Sequence, residues 1–147
     1  MGVPEGHCHL LEVGKHISLG GIGLDAVYAD HGELSPYAVG VVLDFDGIKV
    51  YHTGDTAYRP ERFGPVVGMH PDVLLPCING RYGNLNAEEA AMLTRDISPR
   101  VSIASHFWMF VEHNGDPGLF LEYCAKLAPG VQALVMKPGE RWGFRKC

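Results

Sequence analysis

Two short stretches of this sequence end on side chains that bind metals. Val50-Tyr51-His52-Thr53-Gly54-Asp55-Thr56 is a β-branched strand running into a tight glycine turn that ends on a carboxylate. About fifty residues later the apolar run Val101-Ser102-Ile103-Ala104-Ser105 ends on His106, with Phe107 and Trp108 behind it. A carboxylate oxygen and an imidazole nitrogen, each held at the rigid end of a strand, are what a divalent-metal site in a hydrolase needs. Taken alone, Asp55 is also simply a turn residue that caps the next segment. For a lone histidine such as His106, a hydrogen-bonded place in the core is the commoner case. Two ligands do not make a catalytic site, and no H-x-H-x-D-H cluster stands upstream.

The remaining candidates are weaker. His31, in Ala29-Asp30-His31-Gly32-Glu33, follows a strand and could supply a second imidazole, although loops carry solvated histidines more often. His7-Cys8-His9 has the look of a metal pair, but no carboxylate or third histidine follows closely, so it reads as an ordinary strand with both histidines displayed. His52 precedes the turn and is expected to face away from Asp55, while His113 reads as a loop residue before a helix. The loop Asn79-Gly80-Arg81-Tyr82-Gly83-Asn84 sits after a strand. Arg81 could clamp a phosphate or carboxylate with Tyr82 stacked beside it, or it could be a surface arginine. Trp108 and its neighbours could wall a pocket or belong to the core. No Walker loop, G-x-G-x-x-G or G-x-S-x-G occurs, so nucleotide binding and serine hydrolysis find no support.

The elements that must position these residues follow from the pattern. Strands are expected at His7–Val13, Gly21–Asp30, Tyr37–Phe45 and Lys49–Thr53, with a hairpin turn at Asp46-Gly47. In the third, Val39, Val41 and Leu43 share one face, with Gly40, Val42 and Asp44 on the other. A short helix over Pro60–Met69 and a strand over Asp72–Ile78 come next. The clearest helix is Asn86–Ile97, with Asn86 as N-cap and Glu89 completing a capping box. A strand to Ser105, a helix over Pro117–Leu127 opened by Asp116, and strands at Gln132–Met136 and Arg141–Phe144 close the chain. Antiparallel strands first, then strands alternating with helices, predict a layered α/β domain.

The 147 residues are most simply one domain with a real core, 46% hydrophobic and 20% charged. A formal charge of −5, spread along the chain, argues against nucleic-acid binding. Cys8, Cys77, Cys124 and Cys147 are widely separated, which favours reduced thiols in a cytoplasmic protein. No signal peptide or apolar run of membrane-spanning length is expected.

Taken together, these pieces resemble the metallo-β-lactamase superfamily, and within it the L-ascorbate-6-phosphate lactonase branch. The resemblance runs from about Val3 to the C-terminus. Residues 50–58, Pro71-Asp72-Val73-Leu74-Leu75-Pro76, the 79–84 loop, the helix start at Asn86-Ala87-Glu88-Glu89-Ala90 and Ser105-His106-Phe107-Trp108 carry it. It implies that Asp55 bridges or ligates the metals, that His106 is the final histidine ligand, and that His31 is the histidine preceding the Thr-Gly-Asp strand. Asp55 and His106 would be the catalytic pair, with Arg81, Tyr82 and Trp108 toward substrate. The cofactor implied is Mn2+ or Zn2+.

The chemistry implied is attack of a metal-activated water on an ester or lactone carbonyl, in a small phosphorylated sugar-acid lactone. The fold implied is one half of an αβ/βα sandwich, a mixed sheet with helices on one face. That makes residues 1–147 a single domain forming the C-terminal portion, an incomplete or degenerate form. Such a half would self-associate or pair with a missing N-terminal half, since soluble monomers rarely leave a sheet face bare. A catalytically inactive half-fold and a metal-dependent phosphodiesterase are the alternatives.

Overall fold

The structure is a computed structural model that describes residues 2–113 and 115–146. Seven strands form one sheet in sequence order: β1 (His16–Leu19), β2 (Ile22–Tyr28), β3 (Val39–Phe45), β4 (Ile48–His52), β5 (Val73–Leu75), β6 (Val101–Ile103) and β7 (Gln132–Leu134). β1 to β4 are an antiparallel meander; β2 and β3 are joined by the longer 29–38 loop, and β3 and β4 by the tight turn Asp46-Gly47, where both residues have positive φ. From β4 onward the pairing is parallel, each new strand reached through a helical crossover: α1 (Gly64–Met69), α2 (Ala87–Ile97) and α3 (Pro117–Leu127).

This topology has one consequence for chemistry. β2, β4, β5 and β6 all run the same way, so the loops that leave their C-terminal ends meet at a single sheet edge. His31, Asp55, Asn79–Asn84 and His106 lie on those four loops. Residues far apart in sequence are thereby gathered where open α/β sheets place their ligands.

The helices cover one face of the sheet. Val27, Val42, Tyr51 and Leu74 point to that face and are at most 3% exposed. They form one cluster with Phe63 and Val66, with Ala90, Leu93 and Ile97 of α2, and with Phe120 and Cys124 of α3. Burial of such side chains contributes about 1.5–3 kcal/mol each. Ser102 on the same face meets Thr94 of α2 at 2.9 Å, so the buried hydroxyls satisfy one another. α2 begins as its sequence predicts: the Asn86 side chain accepts from Glu89 N–H at 2.9 Å, and Glu89 Oε2 accepts from Asn86 N–H at 3.0 Å. Asp116 caps α3 through Gly118 and Leu119 N–H.

The opposite face is apolar and only half covered, with Leu24, Val39, Val41, Leu43, Val50, Leu75 and Ile103 all partly exposed. The structure therefore assigns the core to the Gly40 and Val42 side of β3. Glycine is required there: a Cβ on Gly40 would sit 3.1 Å from the Tyr51 ring and 2.8 Å from Thr53 O.

Several expected elements differ. His7–Val13 is not a strand; a 3-10 turn at Glu5–His7 leads into it, and His7, Cys8 and His9 are exposed and outside the sheet. The first strand is instead His16–Leu19, paired to β2. Arg141–Phe144 is irregular, and the strand expected over Gln132–Met136 ends at Leu134. The Asp72–Ile78 strand is confined to Val73–Leu75, and the Pro60–Met69 helix is a 3-10 turn at Pro60–Arg62 followed by α1. Cys8, Cys77 and Cys124 are free thiols. No helix among the described residues is long and apolar enough to cross a membrane.

At the other sheet edge, Asp72 ties distant segments together. Its Oδ2 accepts from Lys49 N–H at 3.0 Å and from Lys146 Nζ at 3.0 Å, and Lys146 also donates to Gly47 O at 2.8 Å. Burial alone would raise the Asp72 pKa, but these donors outweigh it and hold the carboxyl below its usual range. The ionised form is thus favoured in the folded chain. Its contribution to stability is complete above the unfolded value, roughly pH 4, and is lost as pH falls through the folded pKa. We expect a urea midpoint that is level from about pH 7 to 5 and falls below about pH 4, with a smaller fall in Lys146→Ala. An identical fall in that variant would exclude the clasp as a source of acid sensitivity.

Candidate metal centre

Asp55 stands at the centre of the loop edge. β4 ends at His52, and Thr53 turns its side chain inward, where its hydroxyl donates to Gly54 O at 2.8 Å and accepts from Cys77 N–H at 3.1 Å. Gly54 then takes φ +63°, a left-handed conformation that glycine adopts without penalty. Thr56 stitches the turn to the β2 loop: its hydroxyl accepts from Asp30 N–H at 2.8 Å, and Ala57 N–H donates to Asp30 O at 2.8 Å. Arg59 holds the Asp30 carboxylate at 2.6 Å, and that ion pair, with the Gly32 N–H, keeps the Asp30 pKa below the ordinary carboxylate range. These links carry His31 to Asp55.

Each Asp55 oxygen faces a different imidazole. His106 Nε2 is 3.2 Å from Oδ1, and His31 Nε2 is 3.7 Å from Oδ2. Two donors about 2.1 Å from one tetrahedral ion are themselves roughly 3.4 Å apart, so both pairs have the spacing of shared ligation. The Nδ1 of His106 lies 3.2 Å from Met109 Sδ, a thioether that only accepts. With an ion between His106 and Asp55, the Nδ1–H tautomer would be matched by that sulfur and the Nε2 lone pair would face the ion. Among the described residues no three or more His, Cys, Asp or Glu side chains surround one point closely enough to hold an ion. The donors fit a metal in kind and spacing, as two pairs that share the Asp55 carboxylate.

Two further histidines stand here that spacing along the chain does not reveal. His52 Nδ1 accepts from Gly54 N–H at 3.0 Å, which leaves Nε2 as a donor in the neutral ring. Desolvation lowers the His52 pKa, against the opposing pull of the Asp55 charge, with a smaller lowering from His106. His113 is buried, its ring edge-on to His106 with centroids 4.9 Å apart. The sequence reading of His113 as a loop residue before α3 is right as to position but misses its burial against His106.

The expected substrate residues divide. Tyr82 is edge-on to His113 with centroids 6.0 Å apart, and it lines a hollow with His31. Trp108 is exposed on the loop that leaves His106. Arg81 lines a separate hollow of about 350 Å3 with Asn79, Asn86, Glu88 and Asp116, in which neither Asp55 nor His106 takes part. Tyr82, His106 and Trp108 all have φ between +54° and +56°, left-handed values that cost a non-glycine residue about 1–2 kcal/mol. His31 Nδ1, His113 Nδ1 and the side-chain amides of Asn79 and Asn84 are buried without hydrogen-bond partners. Such groups oppose folding, and among the described residues the one other buried side chain of this kind is Tyr51, on β4.

The structure is thus an α/β sheet with one helix-covered face and a carboxylate between two imidazoles at its loop edge. The chain belongs to the beta-lactamase superfamily domain family, whose model matches residues 3–106. It is 31% identical over 101 residues to a "UPF0173 metal-dependent hydrolase" of Methanobrevibacter smithii, covering 67% of this chain and 41% of that protein. A protein of the same name from Caldivirga maquilingensis is 33% identical over 112 residues, covering 75% of this chain and 48% of its own. Among solved structures, Igni18, described as a novel metallo hydrolase from Ignicoccus hospitalis, superposes with TM-score 0.75 at 26% identity, over 92% of this chain and 60% of that one. The chain thus spans about half the length of the curated relatives it matches. The metallo-β-lactamase fold expected from the sequence agrees with these findings, and metal-dependent hydrolase is the name the relatives carry.

Proposed function

We propose that this chain carries the Asp55 side of a divalent-metal centre, Mn2+ or Zn2+, that hydrolyses an ester or lactone carbonyl, as in the L-ascorbate-6-phosphate lactonase branch. The observation that supports it is the Asp55 carboxylate with one imidazole Nε2 at ligand spacing from each oxygen. Asp55 and His106 would hold one ion, and Asp55 and His31 the other. Bound there, the ion would supply Lewis acidity and a water of lowered pKa. With the ion bound, Met109 sulfur would accept from His106 Nδ1–H, and the Thr53 and Thr56 hydrogen bonds fix the turn that carries Asp55.

Each partial site has two protein donors, and a catalytic zinc usually has three. The remaining donors would come from a companion segment or a second copy of the chain, and this chain alone would bind metal weakly and turn over little. A phosphorylated sugar-acid substrate is the part that geometry supports least, because Arg81 lines the neighbouring hollow. At saturating Mn2+ or Zn2+ we expect slow hydrolysis of lactones, abolished in Asp55→Ala. Turnover of phosphodiesters alone would replace the lactonase reading with the phosphodiesterase one. Metal binding with no hydrolysis of either would favour the inactive half-fold.

A further inference from the structure

The loop from His106 to His113 presents an apolar surface that folding does not bury. Trp108, Met109, Phe110 and Val111 are 69%, 61%, 62% and 98% exposed, a continuous run that soluble proteins seldom leave bare without a use. The loop is not an open strand. Trp108 N–H donates to His113 O at 2.8 Å and His113 N–H donates to Phe110 O at 2.9 Å, closing it back on itself. His106 and Trp108 both accept left-handed backbone to make that turn. The result is a hollow of about 670 Å3 lined by Trp108, Met109, Phe110, Val111, Glu112 and His113. Its volume lies in the range of small-molecule sites.

Neither Asp55 nor His106 lines the hollow, but ring contacts join it to them. Phe110 is edge-on to His113 with centroids 5.1 Å apart, His113 to His106 at 4.9 Å, and His106 Nε2 is 3.2 Å from Asp55. Met109 Sδ touches the same imidazole. No lysine or arginine lines it, and Glu112 is its one charged residue. An anionic substituent would meet repulsion here, whereas an alkyl or aryl group would cover the exposed rings.

We propose that the 106–113 loop is the substrate wall of this centre, and that the substrate is an ester or lactone carrying an uncharged apolar substituent seated on Trp108 and Phe110. This rests on the reading of Asp55 and His106 as the reacting end. Binding is measured by titration calorimetry of γ-lactones bearing no side chain, a butyl chain or a hexyl chain, and of a phosphorylated sugar-acid lactone. The protein is the full chain, metal-supplemented, and its Asp55→Asn variant, which reads binding without turnover. Each methylene should tighten binding about two- to fourfold. That slope should persist in Asp55→Asn and vanish in Trp108→Ser and Phe110→Ser, whose side chains are mostly exposed, so that their unfolding temperatures stay unchanged.

A flat chain-length series, or tighter binding of the phosphorylated lactone than of the hexyl one, overturns the proposal. So does self-association by sedimentation that both serine variants abolish, which would make the loop an interface between copies of this chain. Lactone hydrolysis without a chain-length slope would sink this inference alone. A slope without metal binding would sink the hydrolase reading and with it the loop's place as a substrate wall, leaving only an apolar ligand surface.

Discussion

Asp55→Ala is expected to lower the affinity for Mn2+ or Zn2+ at both partial sites, by more than the roughly 10–100-fold that loss of an outer-shell partner costs. The reason is geometric: both oxygens face imidazoles, so one substitution removes a donor from each ion. His106→Ala should weaken one ion and spare the other, since His31 lies at the opposite oxygen. Competition with a chromophoric chelator, read alongside metal content per chain by elemental analysis, separates the two cases. The Asp55 side chain is 40% exposed, so the metal-free variant should unfold at nearly the parent temperature. Unchanged metal content in both variants would remove Asp55 and His106 from the centre.

The parts of this site that the sequence disclosed are those carried by local chemistry. A β-branched run into Thr53-Gly54-Asp55, and a second into Ser105-His106, each mark a strand end because the turn residues leave little else possible. The α2 capping box was legible for the same reason, as it is completed within four residues. What stayed hidden depends on partners distant in the chain. His16–Leu19 is a strand only because Gly23, Leu24 and Asp25 of β2 are there to pair with it, whereas the equally apolar His7–Val13 has no partner and stays irregular. On β3, both faces carry apolar residues, so alternation could not tell which one the helices cover. His113 reads as a solvated loop residue until the loop is closed by the Trp108 and Phe110 backbone bonds that press its ring on His106. Likewise the Gly54 N–H, which turns His52 toward the turn, is a contact that sequence spacing does not encode.

Gly54→Ala should damage fold and site together, unlike Asp55→Ala. A Cβ on Gly54 would lie 2.7 Å from Val39 O, a contact with backbone that no rotamer change relieves. Its φ of +63° adds the left-handed penalty of about 1–2 kcal/mol for any residue with a Cβ. Gly47→Ala isolates the second effect, because that glycine has φ +87° and nothing within 4 Å of an added Cβ. We therefore expect urea unfolding to show a loss of about 1–2 kcal/mol for Gly47→Ala and about 2–4 kcal/mol for Gly54→Ala. The excess at Gly54 should appear in the metal titration too. Val39 opens β3 and pairs with Tyr28 at the end of β2, so a displaced Val39 carbonyl disturbs the strand end that leads to Asp30 and His31. The same turn aims Asp55, so weaker metal binding should accompany the loss of stability in Gly54→Ala and be absent in Gly47→Ala. Equal stability losses in the two variants would mean that the Val39 contact relaxes freely, and that the turn does not hold Asp55 in place.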